Sequence, residues 1–139
     1  MQELWVVAGL VFDSGGRVLI AQRPAGKALA GRWEFPGGKL HEGESAFDGL
    51  VRELREELGV AVHAAERLMR YPHAYPDHTV WLDLWTVSAW SGEPQGLDGQ
   101  AFKWVALERL HEEDILEADR PMIEALVGIP APSRRPTVD

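Results

Sequence analysis

The sequence predicts an α/β protein, a mixed β-sheet flanked by helices in an α/β/α sandwich. Short runs rich in Val, Leu and Trp alternate with clusters of Gly, Pro, Asp and Ser, as strands alternate with turns. Few segments between those runs carry apolar residues at helical spacing. At 139 residues there is room for one domain, placed at 1–129. A chain of that length buries roughly two-thirds of its surface and needs no covalent staples.

Residues 4–12 read as a buried strand, Asp13-Ser14-Gly15-Gly16 as a turn, and 17–23 as the returning strand of a hairpin. Residues 24–31 read as a loop, and Gly37-Gly38 breaks any regular element. Ser45 caps a helix running to about Leu58, with Gly59 at its C-terminal end. Phe47, Leu50, Val51, Leu54 and Leu58 form its buried stripe. Residues 60–70 read as a strand, 71–77 as a loop with two prolines, and 78–90 as a central strand. Trp81, Trp85 and Trp90, at strand spacing, read as packing residues. Residues 91–100 form a loop, 102–105 a short strand and 120–127 a final amphipathic helix. The tail from Pro130 carries three prolines and little apolar content, and is expected to be disordered.

A net charge of −8 argues against a nucleic-acid polymer as partner, which needs a basic face. A single nucleotide remains open if divalent cations stand between carboxylates and phosphates. With no cysteine, disulfides, thiol catalysis and thiolate metal sites are excluded, as suits a reducing cytoplasm. Met1-Gln2-Glu3-Leu4-Trp5 lacks a basic n-region, and no apolar run approaches membrane-spanning length. A soluble, cytoplasmic protein without a membrane partner is expected, with a monomer favoured.

One segment groups its acids: Gly38-Lys39-Leu40-His41-Glu42-Gly43-Glu44, seven residues, then Arg52-Glu53-Leu54-Arg55-Glu56-Glu57-Leu58-Gly59-Val60. On a helix Glu53, Glu56 and Glu57 stand at i, i+3 and i+4 and share one face. Like charges so placed destabilise the helix unless something positive lies among them. Oxygen ligands with incomplete protein coordination suit Mg²⁺, with Mn²⁺ as a possible substitute. Arg52 can reach Glu56 or reach back to Glu44, and so orient a carboxylate. The bland alternative is a solvated acidic face laced with Glu–Arg pairs; the glycines and Glu44 upstream weigh against it.

The segment matches the Nudix box, G-x5-E-x7-R-E-U-x-E-E-x-G-U with U aliphatic, at every specified position. Residues 17–23, Trp33-Glu34-Phe35-Pro36-Gly37-Gly38-Lys39, Gly92-Glu93-Pro94 and Ala118-Asp119-Arg120-Pro121 further resemble the MutT branch of that family. The resemblance implies the Nudix fold, with a loop-helix-loop catalytic motif. It also implies Mg²⁺-dependent hydrolysis of a nucleoside triphosphate to monophosphate and pyrophosphate. The branch includes the 8-oxo-dGTP diphosphatases that cleanse the nucleotide pool in support of DNA replication and repair.

By matching positions the resemblance implies Glu53, Glu56, Glu57 and the Gly37 carbonyl as metal ligands. Asp98 is the candidate for a further acid from the late loop, or else a plain turn residue. Glu44 and Arg52 are implied as a supporting pair, and Glu53, then Glu56, as the general base. Arg23 and Lys39 would meet phosphate. Glu34, Phe35, Pro36 and Gly37 would line the nucleotide pocket, although Phe35 reads equally as core. Tyr75 would stack on the base from its loop. His41, His73 and His78, without paired metal-ligand spacing, read as surface residues.

Asp119 departs from its relatives, which carry Asn there when they favour 8-oxoguanine. An amide offers one acceptor and one donor; an ionised carboxylate offers acceptors only. Unless protonated, Asp119 would repel O6 of 8-oxoguanine, whereas it suits the N4 amine of cytosine. A pyrophosphohydrolase for CTP or a modified pyrimidine nucleotide is therefore the alternative substrate reading. A plain helix N-cap is the structural reading of Asp119. From another class comes a catalytically inactive nucleotide-binding module, which normally lacks box carboxylates that are all present here.

Overall fold

The computed structural model describes residues 2–128. The expected disorder of the tail from Pro130 lies outside the described residues. Nine elements follow in order: β1 Gln2–Leu10, β2 Val18–Gln22, β3 Trp33–Glu34, β4 Gly37–Lys39, α1 Ala46–Leu58, β5 Ala61–Ala74, β6 His78–Ser91, β7 Phe102–Val105 and α2 Arg120–Gly128. Two 3₁₀ turns, Leu107–Glu112 and Glu117–Asp119, lead into α2.

Four strands form a mixed sheet in the order β4-β1-β6-β5, in which β1 and β6 run parallel and the outer pairings are antiparallel. A smaller antiparallel sheet has the order β3-β2-β7. Alternation along β1 divides the interior. Val7 joins the core built on Leu50, Leu54 and Leu58 of α1, whereas Ala8 and Leu10 join the core shared with Met122, Ile123 and Leu126 of α2. The sheet is thus covered on both faces, as the sandwich expectation requires.

The α1 helix follows its sequence signals closely. The Ser45 hydroxyl accepts the Asp48 N–H at 3.1 Å, and Gly59 closes the helix in the left-handed conformation with φ 71°. Leu50, Leu54 and Leu58 are fully buried. The tryptophans pack as expected: Trp81 stacks on Trp5 at 5.2 Å, Trp85 meets Phe47, and Trp90 stacks on Trp104.

Three local expectations are corrected. The hairpin of 4–12 with 17–23 survives only near its turn, where Leu19 N–H donates to Val11 O and Asp13 N–H to Arg17 O, both at 2.9 Å. Beyond it β1 and β2 part into different sheets. Residues Val7 to Val11 are buried, with Val7 and Val11 packed toward α1 and Ala8 and Leu10 toward α2, as suits a strand inside the sheet between β4 and β6. Gly37-Gly38 does not break structure but forms β4, paired with Val7 and Ala8. A Cβ on Gly37 would overlap the Val7 carbonyl, so the glycine serves close approach. Finally, the strand expected to end at Arg70 continues through Pro72 to Ala74. Pro72 is tolerated because β5 is an edge strand.

Candidate active site

Arg52, on α1, organises the acidic cluster. Its guanidinium donates to both Glu44 oxygens at 2.7 and 2.8 Å, to Glu53 at 2.9 Å, to Glu56 at 3.3 Å and to the Lys39 carbonyl at 3.0 Å. All five of its donors are thereby engaged. Glu44 also accepts the His41 N–H, and these bonds hold its carboxyl down to about 2. Arg52 thus reaches back to Glu44, one of the two contacts its spacing allowed.

Glu53 and Glu57 sit where α1 meets β4. Glu57 accepts the Gly37 N–H at 3.3 Å, and a Cβ on Gly38 would overlap the Glu53 carboxylate. The two glycines therefore make room for side chains arriving from α1. Burial first, then the like charges of Glu53 and Glu34, push the Glu57 carboxyl up to about 8. Among these influences only the Gly37 N–H pulls it the other way.

Both glutamates open into a cavity of about 520 Å³, which runs from α1 to the segment preceding α2. Arg23, Glu34, Phe35, Gly37, Lys39, Tyr75, Asp98 and Asp119 line it too, so most of the expected site is brought together. Arg23 is held by Glu34 at 3.2 Å and by the Ala28 carbonyl at 2.7 Å. Burial raises the Glu34 carboxyl against the pull of Arg23. Asp119, only 4% exposed, accepts the Phe35 N–H at 3.1 Å across the fold. Burial, reinforced by the charge of Glu34, pushes Asp119 up to about 7. Its carboxyl thus serves the cavity wall, a role the capping interpretation did not foresee. Phe35 proves to be both core residue and cavity lining.

Other residues fall elsewhere. Glu44, Arg52 and Glu56 lie outside the cavity lining, and Glu56 is mostly exposed beside Arg52. Pro36 is buried away from the cavity and offers its carbonyl to Gly9 N–H at 2.9 Å. It supports β1, in place of the expected pocket contact. Asp98 tops the 96–99 turn, close enough for its charge to act on Glu57. His41 is exposed as expected, but His73 and His78 are half-buried against Tyr75.

Lys27 and Gln100 are cavity residues that the sequence reading missed. Gln100 is buried, donating to the Glu57 carbonyl at 3.0 Å and accepting the Asp98 N–H at 2.9 Å. A lone amide in a loop gives no periodic signal. Lys27 offered one, a cation within a Gly- and Ala-rich loop directly after Arg23. Tyr71 was missed as well; its hydroxyl donates to the Ala118 carbonyl at 2.6 Å and pins the segment before Asp119.

Among the described residues no three His, Cys, Asp or Glu side chains are drawn together as a finished cation cage. The donor set nonetheless fits a hard divalent cation: carboxylate oxygens, an open cavity, and in Glu57 a half-buried carboxyl pushed up by burial and by the like charges around it, which a cation would relieve.

The sequence profile of the NUDIX domain matches residues 3–126. The chain is 33% identical to the Escherichia coli 8-oxo-dGTP diphosphatase, over 91% of this chain and 98% of that protein. It is 36% identical to the CTP pyrophosphohydrolase of the same organism, over 94% and 96%. Among solved structures, the E. coli ORF135 protein superposes with TM-score 0.84 at 35% identity, covering 99% of this chain and 96% of that one. A structure from work on MutT of Aliivibrio salmonicida and Vibrio cholerae gives 0.79 at 33%, covering 91% and 98%.

Proposed function

We propose, from the premise that this chain belongs to the NUDIX domain family, that it hydrolyses a nucleoside triphosphate to nucleoside monophosphate and pyrophosphate. The observation that carries this is one cavity with two unlike ends. Glu53, Glu57 and the glycines of β4 form an acidic end for a cation-bound phosphate chain. Glu34 and Asp119, with the Phe35 ring beside them, form a hydrogen-bonding end for a base. A volume of about 520 Å³ is ample for one nucleotide.

In this reading Glu53, Glu57 and the Gly37 carbonyl would hold Mg²⁺ or Mn²⁺, with Glu56 and Asp98 as further ligands. The cation, when bound, neutralises phosphate charge and acidifies water. Lys39 and Arg23 draw in phosphate. Arg52 fixes the carboxylate of Glu53, which stands first as the group that takes the attacking water's proton, with Glu56 second. Glu44 keeps Arg52 aligned. As in the branch the chain resembles, attack falls on the β-phosphorus.

The base reading follows from Asp119. A carboxyl pushed up to about 7 is substantially protonated at neutral pH and then presents one donor and one acceptor, as an amide does. That matches O6 and N7–H of 8-oxoguanine, so 8-oxo-dGTP is the preferred substrate and nucleotide-pool cleansing in the cytoplasm the role. The ionised form instead accepts the N4 amine of cytosine, which keeps CTP or dCTP as the second reading.

The test is a panel of normal and oxidised triphosphates at low concentration, with Mg²⁺, in ¹⁸O-water. Monophosphate and ¹⁸O-labelled pyrophosphate are expected, fastest from 8-oxo-dGTP. Label in the monophosphate would move the attack to the α-phosphorus. Inorganic phosphate as first product, or no product from any triphosphate, would reject the assignment.

A further inference from the structure

We propose that His73 and His78 are positioning residues that hold the Tyr75 ring as a fixed wall at the base end of the cavity. The inference rests on the nucleotide reading above and adds to it the two histidines that the sequence left on the surface.

Tyr75 occupies the turn between β5 and β6, and its N–H donates to the His78 carbonyl at 2.8 Å. Its ring lines the cavity. His78 stacks on that ring at 4.8 Å with the planes 11° apart, and His73 meets it edge-on at 4.8 Å and 71°. The His78 ring is fixed in turn, its Nδ1 lying 2.7 Å from Asp77 Oδ1. The charges that act on the Tyr75 hydroxyl are those of Asp119, Arg23, Glu117 and Glu34. This places Tyr75 at the Asp119 end, away from Glu53 and Glu57.

An aromatic side chain on a hairpin tip would ordinarily exchange between rotamers, and a ligand would bear the cost of ordering it. Two imidazoles packed against the ring remove that cost beforehand. The device acts at the base end of the cavity and leaves the phosphate end untouched. It therefore belongs to binding and leaves the chemical step alone.

The test measures kcat and KM for 8-oxo-dGTP and dCTP, and the Kd of the monophosphates 8-oxo-dGMP and dCMP, for wild type, His73→Ala, His78→Ala, His78→Phe and Tyr75→Ala. His78→Ala should raise KM and Kd about two- to tenfold, the range of one aromatic pair, with kcat within about twofold of wild type. His78→Phe, which keeps a flat ring, should recover most of the loss. In a Tyr75→Ala background, adding His78→Ala should change little, because the ring it positions is gone. His63→Ala, which removes a bond to Ser91 at the other end of the same hairpin, serves as a control and should leave both constants unchanged.

Unchanged KM and Kd in His78→Ala and His73→Ala would overturn the inference. So would losses that multiply fully in the double variant, or a fall in kcat matching the rise in KM. A wild type that turns over no triphosphate would defeat the proposed reaction, while the monophosphate titrations would still decide this point.

Discussion

Asp119 is the residue whose chemistry changes most with conditions. Its carboxyl rises from 3.8 towards 7 on folding, so the native protein takes up a proton there. The stability this group provides is complete below 3.8 and is lost as pH climbs through about 7. Asp119→Asn keeps an acceptor for the Phe35 N–H but has no charge to bury. In EDTA its Tm should gain on wild type across that window and then level off; parallel curves would place the carboxyl in a less buried setting. Selectivity should follow the same titration. At pH 8 the variant should shift kcat/KM for 8-oxo-dGTP over dCTP by about five- to a hundredfold, the worth of one good bidentate base contact. At pH 6, with the wild-type carboxyl already protonated, the shift should shrink, and an equal shift at both pH values would sink the protonation argument. The sequence could pose this question at Asp119 but not answer it, because burial against Phe35 arises 84 residues away along the chain.

At the scale of elements, Arg52 and the glutamates of α1 are placed by two separable features, the helix cap and the close approach of β4. Ser45→Ala removes the N-cap and should cost about 1 kcal/mol of stability while kcat at saturating Mg²⁺ stays near wild type. Gly38→Ala leaves α1 capped but drives a methyl into the Glu53 carboxylate, so it should cost activity far more than stability. A Gly38→Ala enzyme of wild-type activity would show that the close approach of β4 to α1 has no bearing on turnover. The same contrast explains what was legible. The bounds of α1 were read correctly because caps, stripe and acidic face are all local. The end of β5 was not, since Pro72 looks like a breaker until the strand is known to lie at an edge. The glycines of β4 were read as interruptions for the same reason: their meaning lies in what packs against them, Val7 for one and Glu53 for the other.

Across the whole molecule, a chain of net charge −8 gathers Glu34, Glu53, Glu57, Asp98 and Asp119 around one cavity. For a NUDIX hydrolase this arrangement links metal to stability. A cation that binds only the folded state adds stability in proportion to the logarithm of its concentration. Raising Mg²⁺ at pH 8 should therefore lift the wild-type Tm by several degrees, and the lift should vanish in Glu53→Gln combined with Glu57→Gln. The same pair of substitutions should cut Mg²⁺-dependent turnover by about 10²-fold or more. A double variant that keeps both responses would remove these glutamates from the metal site. The motif made Glu53 and Glu57 readable in the sequence; Gln100 was not, because it reaches the cavity from a loop whose path only the fold determines.

The parallel pairing of β1 with β6 also bears on how the protein is made. Gln2 lies opposite His78 and Leu10 opposite Thr86, so one interior strand of the larger sheet comes from residues 2–10 and the other from well past the middle of the chain. During synthesis at about 5–20 residues per second, β1 must wait roughly 4–15 seconds for β6 to follow it. Over that interval a strand buried on both faces in the finished protein has no lasting neighbour on that side. The apolar Val7, Leu10 and Val11 are then open to wrong pairing, so their protection bears on yield before the larger sheet can close.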